Sequence, residues 1–164
     1  MLMEIHFQNN LKESVLAEIV KIIDTRQLPF KKDGWNFNWR LAAKEANSQL
    51  FALILSETKE IEGLIKLKTE YDMMIMDIVE IAPHNIGKNK RYYDIAGSLI
   101  AFGCRESFNL DNNYKGFLSF VSKTNLVNFY SSKYGAIQAL GQKMYIPPEI
   151  GSKLIKKYLN NNIK

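Results

Sequence analysis

The residues best suited to chemistry surround a polar loop, residues 84–91, between a buried strand and an apolar helix. The loop carries three fixed positive charges, Lys88, Lys90 and Arg91. The first backbone N–H groups of a helix have no acceptor within the helix, and they carry the positive end of its dipole. We therefore predict a site for an anion, such as a pyrophosphate, where this helix begins. A solvated loop in a lysine-rich chain is the alternative.

Two acidic residues on the preceding strand are candidates for a general base. Asp77 and Glu80 lie three apart within residues 73–82, a mostly apolar segment, so strand alternation predicts that they point to opposite faces. A carboxylate in apolar surroundings needs a partner or has a raised pKa. A raised pKa suits a base that removes a proton from an ammonium group. Pairing with a Lys or Arg is the alternative for either residue, and which of the two faces the site stays open.

Several other chemistries find no support in the sequence. Cys104 lies on the apolar side of a predicted helix, which favours a core thiol over a nucleophile. Neither a GxxxxGK[ST] loop nor a GxGxxG fingerprint is present, which argues against a P-loop NTPase and a dinucleotide-binding Rossmann unit. His6 and His84 are too few for a zinc cluster, and we expect no metal.

Length and composition indicate one domain over residues 1–164. The chain is 46% hydrophobic and 24% charged, which excludes a disordered tail and a disulfide scaffold. No apolar run approaches the roughly 20 residues of a membrane span. The sequence starts without a signal-peptide pattern and has a single cysteine, so we expect a cytoplasmic protein. A net charge of +5 permits a nucleic-acid partner, but the lysines are scattered and do not favour one.

The periodicity of apolar residues predicts a mixed α/β fold. Residues 11–25 have helical spacing, and residues 38–47 are predicted to form a second, short helix. Strands are expected at 50–56, 61–69 and 73–82, close enough in sequence for an antiparallel meander. The later elements are expected in this order: a buried helix from Asp94, a strand at 115–122, a helix from about Asn125 to Tyr134 that Gly135 ends, a final strand within 136–146, and a basic C-terminal helix in 147–164.

Four segments, in this order along the chain, resemble motifs of the GCN5-related N-acetyltransferases, the GNAT superfamily. Residues 61–65 (IEGLI) and 81–83 (IAP) are similar to the third strand and to the end of the fourth. Residues 91–96 (RYYDIA) resemble the phosphate loop Gln/Arg-x-x-Gly-x-Gly/Ala, with Asp94 in place of the first glycine, where its side chain is suited to cap the helix. Residues 125–136 (NLVNFYSSKYGA) resemble the second motif.

The resemblance covers about residues 50–146 and implies a partly antiparallel sheet, flanked by helices, with a splayed strand pair. It implies transfer of an acetyl group from acetyl-CoA to an amine by direct attack on the thioester. Tyr130 would protonate the leaving thiolate, Glu80 or Asp77 would accept the amine proton, and a backbone N–H near Ile81 would polarise the carbonyl. The implied contacts with coenzyme A are Ile81, Lys88, Arg91, Ile95, Ala96, Gly97 and Asn125.

Two other functions stay open at this point. One is a GNAT-like module that has lost the cofactor and only binds a partner. The other is an acetyltransferase acting on RNA or aminoacyl-tRNA, which the basic charge would fit. Tyr130 is equally well explained as a core tyrosine of an amphipathic helix. The acceptor amine is not identified by the sequence, and we expect a monomer or a homodimer without a membrane partner.

Overall fold

One mixed sheet organises the chain. The structure is a computed structural model that describes residues 3–159 and, of Met3, Glu4, His6 and Phe7, the backbone only. The strands in this range are β1 Met3–Gln8, β2 Ser14–Lys21, β3 Ser48–Leu55, β4 Ile61–Glu70, β5 Met73–Ile81, β6 Leu118–Val121, β7 Ile137–Gln138 and β8 Lys143–Ile146. The α-helices in this range are α1 Trp39–Ala42, α2 Ile95–Ser107, α3 Val127–Tyr134 and α4 Pro148–Tyr158.

The strands are arranged in the order β1-β2-β3-β4-β5-β6-β8-β7. Neighbours run antiparallel, apart from the parallel pair β5–β6. The predicted mixed α/β fold and its antiparallel meander, β3–β4–β5, are confirmed. The chain crosses from β5 to β6 through α2, as a parallel connection requires.

The predicted helix over residues 11–25 is wrong. This segment contains β2, which pairs antiparallel with both β1 and β3. Its burial alternates, with Ala17 and Ile19 fully buried, whereas Leu11 and Ile23 of the predicted apolar stripe are exposed. The segment is rich in β-branched residues, which suit a strand. The spacing of its apolar residues fits the period of a strand as well as that of a helix. Pairing with β1 and with the distant strand β3 decides the outcome.

The later elements agree with the predictions in type and differ at their ends. The second helix, expected over 38–47, is the single turn α1. Helix α3 starts only after a 3₁₀ turn, Thr124–Leu126, and ends at Gly135, which adopts the expected left-handed conformation with φ 72°. The final strand is a short hairpin, β7 and β8, and α4 is the expected C-terminal helix. Residues 160–164 of that prediction lie outside the described range.

The two faces of the sheet bury two separate cores. Side chains alternate along a strand, so Ile65 of β4 belongs to the core that contains α2 and α4, while its neighbour Leu64 belongs to the core on the opposite side. We call the first side the helix face. The second, the loop face, is covered by residues 22–47, whose Trp35 and Trp39 are buried against Leu64. No helix within residues 3–159 has the length and hydropathy of a membrane span.

Two glycines let the helices approach closely. A Cβ on Gly63 of β4 would lie 2.8 Å from side-chain atoms of Ile95 and Leu99, so the absence of a side chain lets α2 lie directly on the strand. A Cβ on Gly97, in the first turn of α2, would lie 2.5 Å from the ring of Tyr158 in α4. The C-terminal helix is therefore packed onto the start of α2.

Replacing Gly97 by alanine tests this contact. We expect Gly97→Ala to destabilise the fold by about 1–3 kcal/mol, because the ring of Tyr158 must move. In a Tyr158→Ala background the same change should be neutral or stabilising, since alanine is the better helix former. Denaturant unfolding of the four proteins measures the coupling. An equal cost in both backgrounds would show that the ring is not the obstacle.

Cys104 provides a second test of the helix face. It is fully buried, 3.3 Å from the position of a Cβ on Gly151 of α4, and burial raises the pKa of its thiol to about 12. At pH 8 the thiol is neutral and covered, so Ellman's reagent should not react with the folded protein. One thiol per chain should react after unfolding in guanidinium chloride. Rapid labelling of the native protein would contradict this packing.

Candidate functional site

Strands β5 and β6 are paired over only two residues and then diverge. The two strands pair at Met74↔Leu118 and Ile75↔Ser119, and no further pair follows in the described chain. Strand β5 continues to Ile81, while β6 stays paired with β8 along its full length on the other side. We call the space between the later part of β5 and the end of β6 the β5–β6 gap. It is the splayed strand pair expected from the sequence.

The backbone of β5 presents hydrogen-bonding groups to this gap. The N–H of Ala82 donates to the carbonyl oxygen of Glu62 in β4 at 2.9 Å. Alternate residues of an antiparallel strand direct both backbone groups to the same side. Val79 and Ile81 therefore direct their N–H and C=O groups away from β4 and toward the gap. Ile81 was among the predicted contacts of the cofactor.

The start of α2 supplies unpaired donors. The first helical bond runs from the N–H of Ser98 to the carbonyl oxygen of Asp94 at 3.0 Å. The preceding N–H groups, those of Ile95, Ala96 and Gly97, have no acceptor within the helix. They form the positive end of a 13-residue helix dipole. This arrangement can bind an anion.

Hydrogen bonds hold the backbone of the loop before α2 in place. The N–H groups of Arg91 and Tyr93 donate to the carbonyl oxygens of His84 and Gln8, each at 3.0 Å. The N–H of Tyr92 donates to the side-chain oxygen of Asn85 at 3.1 Å. An anion site predicted over residues 91–97 is thus narrowed to the first turn of α2.

Asp94 occupies the N-cap position but does not cap the helix with its side chain, contrary to the sequence-based expectation. Its backbone is left-handed, with φ 66°. Among non-glycine residues, Asp and Asn adopt this conformation most readily. At position 94 the backbone therefore has the shape that glycine favours, although the residue is aspartate. Lys88 and Arg91, both predicted cofactor contacts, are exposed on the same loop.

Tyr130 lies beside the gap. Helix α3 packs its ring against Phe120 of β6, with 5.0 Å between the ring centroids. The side chain is half-buried, and this burial raises the pKa of its phenol, so the hydroxyl is protonated at neutral pH. Among the described residues, the hydroxyl has no hydrogen-bond partner. Asn125, a further predicted contact, is exposed in the turn that leads into α3.

The two candidate bases do not point to opposite faces, so that expectation was wrong. Lys66 pairs with Ile78 and Leu67 pairs with Met76, which leaves Asp77 as an extra residue in β5. Such a bulge interrupts the alternation of side chains. Asp77 turns to the loop face and forms ion pairs with Lys66 at 3.1 Å and with Lys68 at 3.6 Å.

Glu80 also lies on the loop face. It is 8% exposed, and its carboxylate accepts hydrogen bonds from three N–H donors of the covering segment. The indole of Trp39 donates at 2.8 Å, and the backbone groups of Asn36 and Phe37 complete the set. Residues 36–39 therefore cover this carboxylate and use most of its acceptor positions.

A further pair of titratable residues was not singled out by the sequence. Glu62 of β4 is fully buried, and its Oε1 atom binds Nε2 of His84 and accepts from Nδ2 of Asn85 at 3.0 Å. The other oxygen, Oε2, is buried without a partner among the described residues. His84 lies on the wall of a cavity of about 940 Å³ on the loop face. The only sequence signal was one acidic residue in an apolar strand.

Metal binding finds no support in the part of the chain that is described. No group of three or more His, Cys, Asp or Glu side chains in that part is arranged to hold a metal ion. The candidate site consists of the β5–β6 gap, the start of α2, Tyr130, and the His84–Glu62 pair on the loop face.

Comparison with known proteins gives a result at the level of structure. No protein-family model and no curated protein matches the sequence. A solved structure assigned as an acetyltransferase, from Exiguobacterium sp. 255-15, superposes with a TM-score of 0.57 at 10% identity, over 84% of this chain and 97% of that one. A variant of the spermidine N-acetyltransferase SpeG from Vibrio cholerae has a TM-score of 0.56 at 16% identity, over 86% and 97%. The chain has the fold of the GNAT acetyltransferases.

Proposed function

We propose that the protein transfers an acetyl group from acetyl-CoA to an amine. The observation that carries this proposal is the β5–β6 gap. Unpaired backbone groups of Val79 and Ile81 line one side, and Tyr130 lies at the other. The start of α2, whose N–H groups can bind an anion, follows β5 along the chain. Together these features match what a long thioester with a phosphate-bearing end requires.

The residues fit acetyl-CoA as a substrate in an extended pose. The amide groups of its pantetheine arm can pair with the free edge of β5, as an added strand would. Its pyrophosphate can accept from the first N–H groups of α2, at Ile95, Ala96 and Gly97. Lys88 and Arg91 on the preceding loop add positive charge. The substrate brings a thioester, whose carbonyl carbon is open to attack by an amine.

The chemical step follows from this placement. The amine nitrogen forms a bond to the carbonyl carbon, and the bond from that carbon to sulfur breaks. The N–H of Ile81 polarises the carbonyl oxygen, and Tyr130 donates a proton to the departing sulfur. The amine proton passes to a base, for which Glu80 and Asp77 stay candidates, directly or through water. Both carboxylates already have partners on the loop face, which favours the route through water.

Binding of acetyl-CoA is the first test. At 100 times its dissociation constant, the ligand should stabilise the fold by about 2.7 kcal/mol, seen as a rise in Tm. Arg91→Glu should weaken binding, because it places a negative charge on the loop before α2. Lys115→Glu is the matched control, because this exposed lysine follows the opposite end of α2, about 20 Å away. No change in Tm at millimolar acetyl-CoA would refute the proposed function and leave a partner-binding module.

Tyr130→Phe tests the acid. The variant keeps the ring on Phe120, so Tm should hardly change, while turnover falls on the order of 10²-fold, at the low end for proton transfer. Release of coenzyme A from an amine panel can be followed with Ellman's reagent, since Cys104 is buried. Tyr145→Phe is the control, because Tyr145 lies on β8, beyond β6 from the gap. Normal turnover with lowered stability would assign Tyr130 to packing alone.

A further inference from the structure

The loop-face cavity is large enough for a small organic molecule. Its volume of about 940 Å³ lies within the range of ligand sites. Strands β2, β3 and β4 form one wall, and residues 27–35 form the other. The apolar part of the lining is Val20, Ile22, Pro29, Trp35, Ile54 and Ile61. Such walls select a ligand with an apolar body.

The charged part of the lining favours a cation. Asp33 and Glu60 place two carboxylates on the wall, against one ammonium group, that of Lys59. Lys59 is itself neutralised by an ion pair with Glu18, with Nζ 3.1 Å from Oε2. The net charge of the lining is therefore negative. Opposite charge attracts a protonated amine into a cavity with apolar walls.

His84 is the cavity residue suited to remove a proton from that amine. A carboxylate can only accept hydrogen bonds, so the bond to Glu62 assigns the proton of the neutral imidazole to Nε2. Nδ1 is then left with a free lone pair. Asn85 donates to the same Glu62 oxygen and to the backbone carbonyl of Glu62. The pair is thus held in one orientation.

The same strand connects this pair to the gap. Ile81 presents its N–H to the gap, Ala82 is hydrogen-bonded to the backbone of Glu62, and His84 follows after Pro83. His84 is therefore the residue of the cavity lining that lies closest along the chain to the gap edge of β5. By contrast, Glu80 is covered by residues 36–39 and does not line the cavity.

We propose that this cavity binds the acceptor, a primary amine on an apolar body, and that His84, oriented by Glu62, is its general base. The inference rests on the proposed acetyl transfer. Nδ1 of His84 takes a proton from the bound ammonium, and Glu62 stabilises the imidazolium that results. The freed lone pair of the amine attacks the carbonyl carbon of the thioester, and the carbon–sulfur bond breaks as Tyr130 protonates the sulfur. The nitrogen then loses its second proton, which passes through water to Tyr130 and restores the phenol. His84 then returns its proton to solvent.

Binding to the cavity is measured without acetyl-CoA. Both tryptophans of the sequence lie on the loop face, so intrinsic fluorescence reports directly on this region. Hexylamine should change the emission saturably, and hexan-1-ol, the same body without the charge, should bind at least 10-fold more weakly. Trp35→Leu should reduce the affinity for hexylamine. Equal binding of amine and alcohol, or no binding of either, would overturn the cavity as an amine site.

The role of His84 is measured in turnover. His84→Ala should lower kcat for hexylamine on the order of 10²-fold, leave the Kd for acetyl-CoA unchanged, and regain activity with added imidazole. Glu62→Gln should also lower kcat without changing the Kd for hexylamine. Ile86→Ala, at an exposed position two residues further on, is the control and should be fully active. Unchanged turnover in His84→Ala, or no rescue by imidazole, would overturn the assignment.

Different results would refute the proposed acetyl transfer and the assignment of His84 as the base. If the wild-type protein does not bind acetyl-CoA, the proposed function fails and the base role of His84 fails with it. The fluorescence titration then still decides whether the cavity takes an amine. If acetyl-CoA binds and His84→Ala is fully active, only the assignment of the base is wrong.

Discussion

Buried backbone N–H and C=O groups need hydrogen-bond partners, and within the described chain β5 pairs with β6 only as far as Ile75. Beyond that point β6 is held by β8, and α3 packs onto it through Tyr130 and Phe120. The edge of β5 is therefore left to bind water or a ligand. Helix α3 thereby positions the ring of Tyr130 beside the gap, while the start of α2 lies against Gly63 of β4 and Tyr158 of α4.

Much of the fold could be predicted because its signals are local. Strands β3 to β5 follow one another with short turns, and α2 and α4 begin after clear polar or proline signals. The segment 11–25 could not be assigned in the same way. Its apolar residues fit a helix and a strand equally well, and pairing with β1 and β3 decides between them. One of those partners lies more than 20 residues away in sequence.

The same difference between local and long-range signals decides which parts of the candidate site could be predicted. The start of α2 and Tyr130 were predicted from motifs, since each lies in a contiguous segment with a recognisable order of residues. Asp77 was misplaced because a bulge depends on how β4 and β5 align. The residues Glu62 and His84 are 22 positions apart, and they meet because β4 pairs with β5 and His84 follows the end of β5. Their contact is therefore a property of the assembled sheet.

Asp94 illustrates how a motif can change in sequence without changing in shape. The loop before α2 requires a left-handed backbone at this position, and aspartate meets that requirement at φ 66°. The requirement is thus on a torsion angle, and more than one residue type satisfies it. Chains that share this loop can therefore diverge until glycine no longer marks it.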